Sequence, residues 1–292
     1  MTDRKFININ LPFYAGVLDA NQNLRLPEDL FFSLYIDKKT LVPKLALTNK
    51  IKKTIKLVYK VGSMLSTPLG ESKLSTKRLN EFKEYLEKKM INKKTVVEIG
   101  CGNGHLLNEL KQKGYSTLGF EIGPQSQVAK KKFNLKVYKK EFKHSILKTK
   151  VDCVFSSGCL EHIENISEFL NESFKSLNEN GLFFASVPNS YIHFNNGSVE
   201  ELCYEHINYF TPHNAIRFLQ ANRFKDCGYK LNKVGNELFF WGYKDKRKKK
   251  IDLTKDKENF SGEEKILQIY EKKIQDKWFS KISYLKKQIK NG

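Results

Sequence analysis

Between residues 95 and 243, short apolar runs alternate with segments whose apolar positions recur every three or four residues. TVVEI (95–99), STLGF (116–120), LKVY (135–138), VDCVFSS (151–157) and GLFFASVPN (181–189) have the length and β-branched or aromatic content of buried strands. Between them, GHLLNELKQKG (104–114), PQSQVAKKKF (124–133) and ISEFLNESFKSLNENG (166–181) read as helices. The last carries Ile166, Phe169, Leu170, Phe174 and Leu177 on one face and Gly181 as its stop. Thr211 and Pro212 suit the N-cap and first turn of a helix over AIRFLQANRF, and FKDCGYK and ELFFWGYK add two strands. Alternating strands and helices predict an α/β domain, with a mostly parallel sheet covered on both faces.

The flanks follow different patterns. Residues 1–90 hold apolar islands (LPFYAGVL, LFFSLYI, IKLVYKVGSML) broken by Pro and Gly, and they predict an irregular cap. In the tail, 244–292, the residues Leu267, Tyr270, Ile274, Trp278, Ile282, Leu285 and Ile289 recur at helical spacing amid 16 Lys/Arg and 8 Asp/Glu. This predicts a basic amphipathic helix that packs on its own domain or a sister subunit, or lies on an anionic membrane. The expected organisation is therefore a cap (1–90), a core domain (91–243) and a helical tail (244–292).

Composition narrows the class. With 292 residues and 40% hydrophobic content, the chain can bury a substantial core. No apolar run approaches a membrane span, and the first residues lack a secretory leader pattern, so a cytoplasmic location is expected. The five cysteines (101, 153, 159, 203, 227) form no CxxC pair, which argues against a disulfide framework or structural zinc. The net charge of +20 would suit nucleic acid, but all but six of the 52 basic residues are Lys, and they are dispersed. A nucleic-acid partner is disfavoured. A small anionic substrate would be helped by the same field.

The densest chemistry lies in VVEIGCGNGHLL. Gly100, Gly102 and Gly104 fall between a buried strand and a helix, where a sharp turn lets a ligand approach the backbone and the helix start offers free N–H groups. Glu121 ends the next strand, 121 − 100 = 21 residues after the first Gly, a position from which a carboxylate can accept from both hydroxyls of a ribose. The spacing is GxGxG rather than GxGxxG, since position 105 is His. Together with Glu98 and the later VDCVFSSGCLEHI and NENGLFFASVPN, this resembles the class I S-adenosylmethionine methyltransferases. The resemblance implies a Rossmann-like, doubly wound, seven-stranded sheet with an N-terminal cap. It implies that Gly100, Gly102 and Gly104 pass along the methionine part of S-adenosylmethionine, and that Glu98 holds the turn or the amino group. It further implies Glu121 on the ribose, Ile122 and the Glu141-Phe142 pair near adenine, and Ser157 and Gly158 beside the methyl group. Tyr59, Met64 and Ser66, before the core, are expected to cover the site.

Two Glu-His pairs then stand out among six histidines: Glu161-His162 in LEHI and Glu205-His206 in YEHINYFTP. Methyl transfer to a hydroxyl or carbon acid needs a base, and a histidine suits the task. His162 ends the fourth strand, at the ligand-binding edge of such sheets. His206 lies in the long segment 189–210 before the Thr-Pro cap. YEHINYFTP resembles the EHxxYF(S/T) acceptor segment of sugar methyltransferases, including deoxysugar C-methyltransferases. That resemblance implies that Tyr204, Glu205 and His206 line the acceptor site, with His206 as base and His162 nearby. This chain lacks that group's N-terminal cysteines and large C-terminal domain, so O-methylation of a sugar nucleotide or cell-surface glycan precursor is favoured over C-methylation. No metal site is assigned. The alternatives are a quinone or lipid methyltransferase, in which Glu161, His162 and Glu205-His206 would hold a divalent metal, and a non-catalytic S-adenosylmethionine- or nucleic-acid-binding module. A homo-oligomer remains open.

Overall fold

The computed structural model describes residues 4–13, 25–60 and 72–291, without the side chains of 278, 279 and 282–291. Strands β1 (Phe6–Pro12), β2 (Asp29–Ile36) and β3 (Pro43–Leu45) form an antiparallel sheet, followed by α1 (Asn49–Lys60) and α2 (Lys73–Lys89). The core contains β4 (Thr95–Ile99), α3 (His105–Gln112), β5 (Ser116–Phe120), α4 (Gln125–Phe133), β6 (Val137–Tyr138), β7 (Val151–Ser157) and α5 (Ile166–Ser176). It continues with β8 (Leu177–Pro188), α6 (Ser190–Asn196), α7 (Pro212–Ala221), β9 (Phe224–Leu231) and β10 (Glu237–Lys244), and α8 (Lys257–Asn291) forms the tail.

The core sheet has seven strands in the order β6-β5-β4-β7-β8-β10-β9, parallel except for β10, which runs against both its neighbours. Strand periodicity divides the core in two. Val96, Cys153, Phe155, Leu182 and Phe184 pack beneath Leu79, Phe82 and Leu86 of α2 and Leu106 and Leu110 of α3. Val97, Val154, Phe183 and Ala185 pack on the other face with Phe169, Leu170 and Phe174 of α5 and Phe218 and Leu219 of α7. The strand order reverses between β4 and β7, so their C-terminal ends open the crevice where such sheets hold ligands.

Four expectations need correction. The described segments within residues 1–90 are not irregular: LFFSLYI falls in β2 of the three-stranded sheet and IKLVYK ends α1, while the rest of the first and third islands lies largely outside the described residues. The helix expected to run to Gly181 stops at Ser176. Leu177 instead pairs with Val151 and Leu182 with Cys153, and the intervening residues bulge out around Asn180, whose φ is 58°. LKVY contributes only Val137 and Tyr138 as strand, and the segment 189–210 contains the helix α6.

The amphipathic stripe of the tail is covered by the chain itself. Phe260, Leu267, Tyr270 and Ile274 are buried with Phe6, Phe32 and Leu34 of the cap sheet and with Phe194, Tyr204 and Tyr209 of the loop region. The Tyr270 hydroxyl donates to the Ser198 carbonyl at 2.6 Å, and Glu271 accepts from Ile7 N at 2.9 Å. Cap, loop and tail thus share one core, which takes the described part of the stripe away from a membrane. Trp278, Ile282, Leu285 and Ile289 lie outside the described side chains, and Met64 and Ser66 outside the described residues. Among the described residues no helix is long and apolar enough to cross a membrane.

Candidate active site

The candidate cofactor end is built on the turn after β4. Gly100, Gly102 and Gly104 all have positive φ, at 73°, 49° and 79°. They differ in what a side chain would meet. A Cβ on Gly100 would stand 2.7 Å from Cys159 Sγ, and one on Gly104 2.6 Å from Leu135 Cδ1 and 2.8 Å from Ala129 Cβ. A Cβ on Gly102 would meet nothing within 4 Å. The outer two glycines are therefore needed for packing, whereas Gly102 borders open space. Glu121 closes the turn: its Oε2 accepts from Gly102 N at 2.9 Å and its Oε1 from Gly123 N at 2.7 Å. Each oxygen keeps a lone pair for a hydroxyl donor. Ile122 beside it is 57% exposed, an apolar side chain held open next to the turn.

Glu98 lies beneath the turn, buried, with no hydrogen-bond partner on Oε2. Burial, then the neighbouring Glu121 carboxylate, push its carboxyl up to about 8. Such a group needs a donor. The amino group of a bound S-adenosylmethionine would supply one, with its ribose on Glu121 and its chain along Gly102. The residues present therefore fit that cofactor. Of the adenine-side expectations, Glu141 is exposed, while Phe142 is buried edge-on to Phe120, with ring centroids 5.0 Å apart. Ser157 is partly buried at the end of β7, and Gly158 is exposed at φ 61°.

The second centre lies directly beyond. After Gly158 a single 3-10 turn, Leu160–His162, carries the first Glu-His pair. The second pair is stitched onto that turn by backbone bonds. Ile207 N and Asn208 N donate to the Glu161 carbonyl at 2.7 and 3.0 Å, and Asn208 Nδ2 donates to the carbonyls of Ile163 at 2.7 Å and Leu160 at 3.1 Å. On its other side the segment is held by β3, with Leu45 N donating to the Ile207 carbonyl and Tyr209 N to the Pro43 carbonyl, both at 2.9 Å. As a result the His162 and His206 rings lie 5.2 Å apart, centroid to centroid.

The two histidines have opposite electrostatics. His162 Nδ1 is 2.8 Å from the Glu205 carbonyl, which can only accept, so Nδ1 carries the proton and Nε2 the lone pair. Burial, followed by the nearby His206, holds its pKa down at about 3, so it is neutral. Burial also opposes charge on His206, but Cys203 and then the Glu201 carboxylate outweigh it and raise its pKa well above the ordinary value. Glu201 stands between two histidines, with Oε1 3.3 Å from His206 Nδ1 and Oε2 3.3 Å from His193 Nε2. Glu161 is buried, its Oε2 has no hydrogen-bond partner, and its Oε1 is 3.8 Å from His162 Nε2. Burial pushes the Glu161 carboxyl up to about 7. Tyr59 of the cap closes the group, its hydroxyl 3.1 Å from His162 Nδ1; burial and then the Glu205 carboxylate raise its pKa.

The structure thus gathers His162, Glu205 and His206 in one place, and it brings in Glu161 although no metal site is assigned from sequence. Tyr204 has a different post from the one expected. It is buried, with its hydroxyl held by the carbonyls of Leu11 and Leu30, so it fastens the segment to the cap sheet instead of facing an acceptor. Sequence reasoning missed Glu201, Cys203, His193 and Asn208. The acid-rich EELCYEH is the one signal that pointed at Glu201.

A doubly wound sheet with a glycine turn closed by Glu121 and a histidine pair beside it is the architecture of a nucleoside-cofactor enzyme domain. Residues 72–226 match the family described as a methyltransferase domain, and the chain belongs to that family. Methyltransferases of this class draw their methyl group from S-adenosylmethionine. A similar curated protein is the ubiquinone biosynthesis O-methyltransferase of Pelagibacter ubique, 31% identical over 117 residues, which are 38% of this chain and 49% of that protein. The chain thus spans about half the length of the curated relative it matches. Among solved structures it is similar to an S-adenosylmethionine-dependent methyltransferase of Thermotoga maritima (TM-score 0.46, 15% identity, 57% of this chain and 89% of that one). It is also similar to the magnesium protoporphyrin IX methyltransferase of Synechocystis PCC 6803 with bound S-adenosylhomocysteine (TM-score 0.45, 15% identity, 60% of this chain and 88% of that one).

Proposed function

We propose that the protein transfers a methyl group from S-adenosylmethionine to a hydroxyl of a small acceptor bound beside Glu161, His162 and His206. The observation that carries this reading is the contiguity of the two centres. The Gly100 turn abuts Cys159, and Cys159 leads within one turn to Glu161 and His162. A sulfonium methyl lying along Gly102 would face an acceptor held by the histidines, in the alignment that in-line displacement needs. The protein orients the acceptor, excludes water through the cap and the 189–210 segment, and receives the hydroxyl proton at His206, whose ring Glu201 orients. His206 must first give up its own proton to do so, so this role belongs to the deprotonated fraction.

A carbohydrate acceptor is supported by the EHxxYF segment, whose Glu205-His206 part lies in this site. A quinol acceptor is a second reading, favoured by the similarity to the ubiquinone O-methyltransferase and by the carboxylate-histidine cluster. The test is incubation of the chain with S-adenosylmethionine and separate panels of sugar nucleotides, glycan intermediates and catechols, with product mass as readout. A methylated sugar lost in His206→Ala supports the first reading, and a methylated catechol alone supports the second. No product from any panel, with S-adenosylmethionine binding intact, would count against this acceptor site.

A further inference from the structure

Basic residues that are scattered along the sequence are gathered by the fold at the N-terminal edge of the core sheet, opposite the glycine turn and the histidine pair. Lys94 precedes β4, Lys148 and Lys150 precede β7, Arg223 precedes β9, and the run KRKKK (246–250) follows the antiparallel β10. All of these except Arg223, which is partly buried, are exposed. Hydrogen bonds lock the segments together. Lys93 Nζ donates to the Asn180 carbonyl at 2.7 Å, Lys246 N to Glu179 Oε1 at 3.2 Å, and Asp245 N to the Arg223 carbonyl at 3.1 Å. The Tyr243 hydroxyl donates to the Lys89 carbonyl at 3.1 Å, which brings the end of α2 to the same edge. Acids there are engaged by the backbone: Asp152 accepts from Lys94 N and Asp245 from Arg247 N, both at 3.0 Å, while Asp226 stays exposed. Lys244, buried among these segments, feels the resulting field: burial first, then Lys150, with Arg223 and Lys246, push its pKa below the usual lysine value.

We infer that this edge is a docking surface for an anionic phospholipid membrane. Its charge is complementary to phosphate headgroups and is presented by segments that the sheet holds in place. The large apolar side chains exposed beside it are Ile91, at 73%, in the turn between α2 and β4, and Ile251, at 41%, directly after the lysine run. Ile251 is fixed through its N–H, which donates to the Ala221 carbonyl at 2.9 Å. An isoleucine enters the boundary between headgroups and acyl chains, whereas it offers no π-face on which a nucleic-acid base could stack. This surface is separate from the tail helix, whose described apolar stripe is buried against the cap. Docked in this way, the protein turns its histidine pair away from the bilayer, toward acceptors that arrive from the aqueous side. The docking itself does not depend on the methyl-transfer reading.

The test is sedimentation of the full chain with vesicles of phosphatidylcholine alone, and of phosphatidylcholine and phosphatidylglycerol in equal parts. The chain should bind the mixed vesicles at least tenfold more tightly. At about 1 M salt, where charges are screened within about 3 Å, that advantage should disappear. Lys249→Glu combined with Lys250→Glu should weaken binding to the mixed vesicles at least tenfold, and Ile91→Ser combined with Ile251→Ser severalfold. Lys265→Glu combined with Lys272→Glu, at exposed positions of α8, makes the same change of charge and should leave binding within twofold. Melting temperature and S-adenosylmethionine affinity should match the wild type in every variant, which separates lost docking from lost folding. Equal binding to the two kinds of vesicle, an equal loss in the tail variant, or wild-type binding without the two isoleucines overturns the inference. Tighter binding to duplex DNA or single-stranded RNA at the same salt also overturns it and assigns the edge to nucleic acid.

Discussion

His162 and His206 stand with ring centroids 5.2 Å apart although one ends the 3-10 turn after β7 and the other lies beyond α6. Their contrast follows from their surroundings: burial keeps His162 neutral, with a backbone carbonyl setting its tautomer, while Cys203 and the Glu201 carboxylate favour charge on His206. Glu201 is therefore the positioning carboxylate, although Glu205 is the one adjacent in sequence. Glu201→Gln is expected to lower turnover by about a hundredfold. S-adenosylmethionine affinity should stay unchanged by calorimetry, and the imidazole resonance of His206 should titrate at lower pH. An unaltered His206 titration would assign Glu201 to packing alone.

The glycine turn separates a ligand effect from a folding effect. Gly102→Ala puts a methyl into open space at φ 49°, so the protein should lose only roughly 1–2 kcal/mol from the left-handed backbone. That methyl would intrude on the cofactor, and S-adenosylmethionine affinity should fall at least tenfold. Gly104→Ala drives a Cβ to 2.6 Å from Leu135 and 2.8 Å from Ala129, so stability should suffer more, by about 1–3 kcal/mol beyond the backbone cost. Urea unfolding and calorimetry on the two variants give the comparison. Equal affinity loss per unit of stability lost would remove Gly102 from the cofactor site.

Acid stability should rest on two structural carboxylates away from the site. Burial works against charge on Asp152, but the N–H groups of Lys94 and Thr95, with Asn178 and the Thr95 hydroxyl, hold its pKa down at about 2. Burial likewise opposes charge on Glu172, and His144 with Lys175 brings it to about 2. Both folded values lie below the unfolded ones of 3.8 and 4.5. Their contribution is therefore complete above the unfolded values and is lost as pH falls toward about 2. Melting temperature should drop steeply between about pH 5 and pH 2, and Asp152→Asn should make that limb shallower. An identical slope in the variant would deny Asp152 this role.

The sheet was readable because its central strands, β4, β7 and β8, are buried on both faces and so read as continuous apolar runs. The glycine turn was readable because glycines, strand and downstream acid all lie within 21 positions, 121 − 100. The second centre was only half readable. Glu-His pairs mark themselves locally, but their meeting depends on Asn208 and on β3, which pair with the loop across the fold. The cap sheet escaped sequence reading because β3 is only three residues long and β1 pairs with β2 through a register shift. Apolar periodicity identified the tail helix but not its partner, since Leu267 and Tyr270 would look the same against a membrane.

Tyr204 gives the clearest separation between a motif and its role. The sequence resemblance implies an acceptor-facing hydroxyl, yet this hydroxyl lies between the carbonyls of Leu11 and Leu30, and its ring stacks on Phe13 with centroids 5.5 Å apart. Tyr204→Phe keeps the ring and removes only the donor, so the expected cost is about 1 kcal/mol of stability. Turnover per folded molecule should match the wild type, because no contact with the His162–His206 pair is lost. His206→Ala should do the reverse, abolishing turnover while the fold melts near its usual temperature. Thermal melts and single-turnover assays on both variants decide the matter. If Tyr204→Phe loses turnover by a hundredfold with unchanged stability, the hydroxyl reaches the acceptor after all, and the cap sheet must open to let it.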